Sequence, residues 1–391
     1  MPDLDQIANA YLENRSELGL MRTLRIVGPI DGRTAEINGA VVLNLGSNNY
    51  LGLSQHPDVV EAASNALRSH GAGSTGSRLT SGTTSLHVKL ESEIAEWKGA
   101  EAALLFTSGY SCALGVIPAL VGEKDLVLSD ELNHASLIDA CRLSRATVRV
   151  FNHNDTVQLT SLLSDRTRFR HALVVTEGVF SMDGDLAPLP CITDVCEAND
   201  TWLMLDDAHG GGVLGPGGAG TAAHYGLTSR VSIQMGTLSK ALGVEGGFAA
   251  GSRPLIDMLA NKARSFVFST ASPPSTAAAA LKALELAQGD EERRERLYIN
   301  GSLLRDGLKS AGYDVPAGIT PIIPVIIGDA EKTVALSQRL LDMGIWVPAI
   351  RPPTVPVGKS RLRISLTSDH TVADIKQIIA LMKSEKLAAN D

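Results

Sequence analysis

The sequence predicts an α/β protein with a mostly parallel central sheet and a smaller C-terminal α+β domain. Three observations predict it. Short apolar runs bounded by turn residues recur between residues 45 and 285. Helical stretches separate many of them, as crossover connections do in a parallel sheet. Beyond residue 285 the pattern thins to two strands alternating with two helices.

The elements follow in order. The first forty or so residues are polar and helix-like, then turn-like over 28–39. A short strand is expected at 41–45. Val59, Val60, Ala63, Ala66 and Leu67 recur at helical spacing and predict an amphipathic helix over 57–70. A Gly/Ser/Thr-rich loop, 71–84, leads to a helix at 86–98. Strands are expected at 102–106, 125–129, 147–151, 172–176, 202–206, 231–235 and 247–250. Helices are expected to begin at the Ser108-Gly109 turn and to run over 134–143. The alanine-rich stretch 276–287 contains Lys282 and Glu285, so it reads as a buried helix and not a membrane span. The last part predicts strands at 320–327 and 361–366, and helices at 330–343 and 372–383. The domains are therefore placed at 1–44 (an N-terminal segment), 45–285 (the large α/β domain) and 286–391 (the small α+β domain).

Composition excludes some functions. The formal net charge is −8, whereas nucleic-acid binders usually show a basic face or stripe. The acidic start lacks a secretory signal pattern, and no apolar run approaches membrane-span length. A cytoplasmic location is expected. Cys191 and Cys196 are too far apart for a zinc-ligand pair, so no metal is expected. All four cysteines, with Cys112 and Cys141, are read as buried or inert thiols.

Gly71-Ala72-Gly73-Ser74-Thr75-Gly76 matches G-x-G-x-x-G literally. The dinucleotide fingerprint needs a strand before it and a helix opening within it. Here a helix precedes and loop follows, so a glycine-rich turn is the better reading.

Four strand ends carry chemistry, where open α/β sheets bind ligands. Thr107-Ser108-Gly109-Tyr110-Ser111 opens a helix whose backbone N–H groups suit a phosphate, although the same residues read as an ordinary cap. Asp206 and Asp207 end an apolar strand, where a carboxylate can face a protonated pyridine nitrogen. Asp207 reads equally as a capping residue, and His209 as a ring contact or a core histidine. Lys240 stands among small residues in Gly236-Thr237-Leu238-Ser239-Lys240, a setting suited to Schiff-base chemistry. Thr237 and Ser239 offer hydroxyls beside it. Ser181 follows a strand end in 176–184, with Glu177 and Asp183 nearby. His134 opens a helix. His153, in Asn152-His153-Asn154-Asp155, reads as a surface turn.

Taken together, 206–210 and 236–243 resemble the α-oxoamine synthase family of fold-type-I, aspartate-aminotransferase-like pyridoxal phosphate enzymes. The resemblance runs from about Val41 to Thr371. Segments 264–274, 349–356 and 361–366 are similar to the branch of that family that joins L-alanine to a pimeloyl thioester for biotin synthesis. The nearest alternative is the branch that uses glycine and acetyl-CoA. Gly211 departs from the pattern, where Thr or Ser is common.

The resemblance implies a pyridoxal 5′-phosphate-dependent acyltransferase, working as a homodimer. It implies that Lys240 carries the cofactor and that Asp206 pairs with the pyridine nitrogen. His209 would meet the phenolic oxygen, and His134 would stack on the ring and help position substrate. Gly109, Tyr110, Ser181 and Thr237 would contact the cofactor. Ser269 or Thr270 would reach a neighbouring subunit's phosphate. Arg351 would bind the amino-acid carboxylate with Thr354 nearby. The family's N-terminal arginine is Arg22 or Arg25, with Arg22 preferred. The thioester carrier, CoA or acyl-carrier protein, stays open.

Overall fold

The computed structural model describes residues 3–22 and 24–388. A helix, Leu4–Glu17, leads to β1 (Val27–Pro29), β2 (Thr34–Ile37) and β3 (Ala40–Asn44). These three pair antiparallel, so the turn-like reading of 28–39 is corrected to a small meander. Its strands are short: β2 alternates over only four residues, burying Ala35 and Ile37, and β3 buries the adjacent Val42 and Leu43. The missed signal was Asn38-Gly39. Both residues have positive φ, 54° and 79°, as a two-residue hairpin turn requires.

Seven strands form the central sheet: β4 (Ala102–Phe106), β5 (Leu126–Asp130), β6 (Thr147–Phe151), β7 (Ala172–Glu177), β8 (Trp202–Asp206), β9 (Ile233–Thr237) and β10 (Gly247–Gly251). Their order is β4-β10-β9-β8-β7-β5-β6. Only β10 runs antiparallel to its neighbours. The fold class read from the sequence is thus borne out.

Strand alternation decides what each end presents. Leu173, Val175, Met204, Ile233 and Met235 pack on one face, against the helices Gly109–Leu120 and Ala135–Leu143. Leu126, Leu128, Val174, Leu203 and Leu205 pack on the other. Continuing each alternation puts Glu177, Asp206 and Thr237 on the first face and Asp130 on the second. Glu177 and Asp206 are also register partners across β7 and β8.

The remaining strands are β11 (Ile322–Gly328), β12 (Ile345–Trp346), β13 (Ala349–Ile350) and β14 (Ser360–Ser365). β11, β14 and β13 form an antiparallel sheet. β12 instead pairs in parallel with β3, tying the N-terminal meander to the C-terminal part. The helix Glu291–Ser310 was not singled out from the sequence, because its first turns are almost wholly charged. It buries Leu297, Gly301, Leu304 and Leu308 and packs on the helix Val372–Ala388. We propose that the large domain ends at Asp290, which caps that helix by accepting from Arg293 N at 3.1 Å. We propose likewise that the meander belongs with the small domain, because β3 pairs with β12.

The glycine-rich loop follows the helix Pro57–His70 and precedes the helix Ser85–Trp97. Ser74 Oγ donates to Ser272 O at 2.9 Å. It has no strand before it. Cys112, Cys141 and Cys196 are buried, and Cys191 is exposed.

Candidate active site

Lys240 follows β9 by three residues and projects into the strand-end cleft. Its Nζ lies 2.9 Å from His209 Nε2. His209 Nδ1 lies 2.7 Å from the hydroxyl of Tyr50, a residue with no solvent exposure. Burial pushes the Lys240 ammonium below the ordinary lysine range, with Asp206 and Glu177 pulling the other way. A larger share of its amine is therefore neutral near pH 7 than for a solvated lysine.

Asp206 is buried, and burial pushes its carboxyl upward, opposed by Lys240. Its Oδ1 accepts from Ala208 N at 3.0 Å, and no ion pair within 4 Å involves it among the described residues. A buried carboxylate without a cation is costly. Beside it Glu177 Oε1 is buried with no hydrogen-bond partner, and burial raises the Glu177 carboxyl, with Asp206 adding to the rise. A protonated heterocyclic nitrogen facing Asp206 would supply the missing cation and favour its charged form, while Glu177, raised to about 8, stays mostly protonated near pH 7.

The third wall is the start of the helix Gly109–Leu120. Ser108 caps it, accepting from Ser111 N at 3.0 Å. A side chain at Gly109 would sit 3.5 Å from Thr237 Cβ, so the helix N-terminus faces Thr237. Thr237 Oγ1 and Ser239 Oγ are 2.8 Å apart. Free N–H groups, a helix dipole and two hydroxyls make an anion cradle. A buried amine, an unpaired carboxylate and an anion cradle at one sheet edge fit pyridoxal phosphate.

His134 caps the helix Ala135–Leu143, its Nδ1 accepting from Ser136 N at 3.2 Å. Tyr110 is exposed and donates to Asp139 Oδ2 at 2.5 Å. Ser181 accepts, through its carbonyl, a 2.6 Å bond from Arg363 Nε.

The expected carboxylate-binding residues form a second group. Arg351 donates to the carbonyls of Gly19 and Met21, beside Arg22. Arg22 and Pro353 line a cavity of about 130 Å³ there. Thr354 N donates to Arg351 O at 3.1 Å. Arg25 instead lies over the Trp346 ring, 4.2 Å from its centroid. None of the hydrogen bonds of Arg351 reaches Lys240.

Several residues at the site escaped the sequence. Arg363, buried on β14, bonds Asn48 Oδ1 at 3.1 Å and Ser365 Oγ at 2.7 Å. Lys98 and Asp207 form an ion pair at 3.0 Å with both side chains fully buried. His153 is not a surface residue. It is half-buried, bonded to Asp130 at 3.1 Å and Asp185 at 2.8 Å, and edge-on to Phe180. Burial pushes its pKa down, but the two carboxylates outweigh this and raise it to about 10. A folded-state value above the ordinary 6.5 means that the bound proton stabilises the fold. That contribution is complete below about pH 6.5 and is lost as pH rises through about 10. Urea denaturation should show stability falling across that window, and His153→Gln should remove that slope and about 2 kcal/mol at pH 7. An unchanged slope in H153Q would refute the assignment.

Comparison with known proteins gives the family. The aminotransferase class I and II family model matches residues 40–381. The 8-amino-7-oxononanoate synthase of Trichlorobacter lovleyi is 48% identical over 96% of this chain and 96% of its own. The chain belongs to the α-oxoamine synthase family. The 8-amino-7-oxononanoate synthase 2 of Bacillus subtilis is 46% identical, covering 97% of each chain. A serine palmitoyltransferase from S. paucimobilis, solved with PLP and myriocin bound, superposes with a TM-score of 0.94 at 31% identity over the full length of both chains. The chain is thus an acyltransferase of a PLP-dependent family, and the glycine-using alternative is not favoured.

Proposed function

We propose that this enzyme condenses L-alanine with a pimeloyl thioester, releasing CO₂ and the free thiol and forming 8-amino-7-oxononanoate for biotin synthesis. The observation that carries the reading is 48% identity along nearly the whole chain to a synthase of that name. The contact of Lys240 with His209 beside an unpaired Asp206 supports it.

Bound pyridoxal phosphate supplies the electron sink that makes the bonds at the amino-acid α-carbon labile. Lys240 Nζ holds the cofactor, then takes the α-proton and later returns one. Asp206 holds the positive charge of the ring nitrogen in place. Gly109 and Tyr110, through backbone N–H groups, and Thr237 hold the phosphate. His134 and Ser181 would line the ring's place, and His209 would meet its phenolic oxygen. Arg351, with Arg22 and Thr354, takes the substrate carboxylate. The α-carbon forms a bond to the thioester carbonyl, the thiolate leaves, and the carboxylate departs as CO₂.

A homodimer completes the site. The helix Leu4–Glu17 buries none of its residues within one chain. Its Leu4, Ile7 and Tyr11 are exposed and in helical register, as a face covered by a second copy would be. Ser269 and Thr270 would reach the neighbour's phosphate. No helix among the described residues is long and apolar enough to cross a membrane, and a cytoplasmic enzyme fits its unpaired thiols.

A product assay tests the reading. With L-alanine and pimeloyl-CoA, mass spectrometry should find 8-amino-7-oxononanoate. Glycine with acetyl-CoA should react at least about a hundredfold more slowly. A faster glycine reaction would sink the assignment. Replacing CoA by acyl-carrier protein in the same assay identifies the natural carrier.

A further inference from the structure

Tyr50 stands in an unbroken line of polar contacts. Lys240 Nζ lies 2.9 Å from His209 Nε2, and His209 Nδ1 lies 2.7 Å from Tyr50 Oη. Tyr50 Oη lies 3.1 Å from Asn48 Oδ1, which also accepts from Arg363 Nη1 at 3.1 Å. The line joins the reactive lysine of the large domain to a buried arginine on β14 of the small domain.

Counting hydrogens along this line fixes its directions. Arg363 has donors only, so Asn48 must turn its carbonyl oxygen toward it. That oxygen can only accept, so the contact with Tyr50 uses the tyrosine's single hydroxyl proton. Tyr50 oxygen must then accept from His209, which places the imidazole hydrogen on Nδ1. The Nε2 lone pair is left facing Lys240, a hydrogen donor. His209 is neutral: burial, then the positive charges of Lys240, Arg363 and His134, hold its pKa well below the ordinary value. A neutral ring carries one hydrogen, so its position is a real choice between two tautomers.

We propose that Tyr50 is a positioning residue whose hydroxyl proton sets the tautomer of His209. The hydroxyl has two settings. With a donor at Nε2, as here, the proton points to Asn48 and the ring is the Nδ1–H form. With a hydrogen acceptor at Nε2, the proton turns to Nδ1 and the ring becomes the Nε2–H form. The 2.7 Å contact serves both settings, because a hydroxyl can donate or accept along it. Only the longer bond to Asn48 is given up, and Arg363 still satisfies that oxygen. The site therefore meets either a cationic amine or an anionic oxygen with the correct ring nitrogen, without charging a buried imidazole. The proposal rests on the reading of Lys240 and His209 as cofactor groups.

The test is ¹⁵N NMR of the full-length protein labelled at histidine, with the signals of His209 assigned by their loss in His209→Gln. Without added pyridoxal phosphate, His209 should be the Nδ1–H tautomer. With it, the phenolic oxygen should draw the ring to Nε2–H. Tyr50→Phe keeps the shape of a fully buried ring and removes the hydroxyl. It should give mixed tautomers without the cofactor and lose the clean exchange between forms. It should also lower kcat about tenfold while KM for alanine stays within about twofold. A wild-type ring that keeps one tautomer in both states overturns the proposal, even if Y50F does not fold. So does a Y50F protein with the wild-type pattern. Failure of the alanine and pimeloyl-CoA assay would leave the tautomer measurement intact, so the two ideas fail separately.

Discussion

Lys240→Ala lowers turnover by about four to six orders of magnitude, the range seen when a covalent catalytic group is lost. It also removes the visible absorbance of a lysine-linked pyridoxal. The size follows from the geometry. Lys240 faces His209 Nε2 at 2.9 Å, and both Asp206 and Glu177 act on its charge. No other lysine amine is placed against these groups: the other buried lysine, Lys98, is committed to Asp207. Loss of fold would not explain the result. Lys240 spends its amine on a single contact, with His209, so its loss costs about 1 kcal/mol. The thermal midpoint of K240A should therefore stay within about 5 °C of the parent's. Lys262→Ala, at an exposed helix end, serves as the control with full turnover. Retention of turnover and colour in K240A would end the assignment of this lysine.

The sequence displays this site unevenly, for physical reasons. Lys240, Asp206 and Gly109 were legible because each follows a short apolar run, and apolar runs end where a sheet edge meets ligand. Their roles came from family resemblance. Arg363 and Tyr50 were not legible. Arg363 lies inside an alternating strand, where it reads as an outward-facing charge, and Tyr50 lies in a loop among asparagines. Both are buried by elements far away in the chain: Arg363 by Asn48 and Ser181, Tyr50 by His209. His153 was misread for a similar reason. Its own segment does look like a turn, but Asp130 comes from the end of β5 and Asp185 from the loop after β7. β1 and β2 escaped because they are only three and four residues long, too short to display a period. Local pattern thus reveals which strands end in chemistry, while partners supplied from across the fold stay hidden.

Lys98→Met should cost about 3–5 kcal/mol of stability, the usual penalty for stranding one charge of a buried pair. Lys98 Nζ donates to Asp207 Oδ2 at 3.0 Å and to Ala219 O at 2.7 Å. Asp207 also accepts from Thr221 N and, at 2.6 Å, from Thr221 Oγ1. Gly220 passes so near that a side chain there would overlap Asp207 Oδ2. These contacts close the loop from Asp207 to Thr221, which carries His209 in its first turn. Methionine matches the length of the lysine stem and can pack beside Trp97 and Phe248, whose rings lie 4.7 and 5.9 Å from Nζ. The loss therefore measures the stranded carboxylate and not a cavity. Urea denaturation of three proteins checks this. K98M should unfold at much lower urea, and K98M with Asp207→Asn should recover at least about half of the loss, because a neutral amide keeps the shape without the buried charge. A cost below about 1 kcal/mol for K98M, or no recovery in the double variant, would mean that the ion pair does not hold this loop. Turnover should fall in K98M and rise again in the double variant, since the strand end that bears Asp206 and the loop that bears His209 share this anchor.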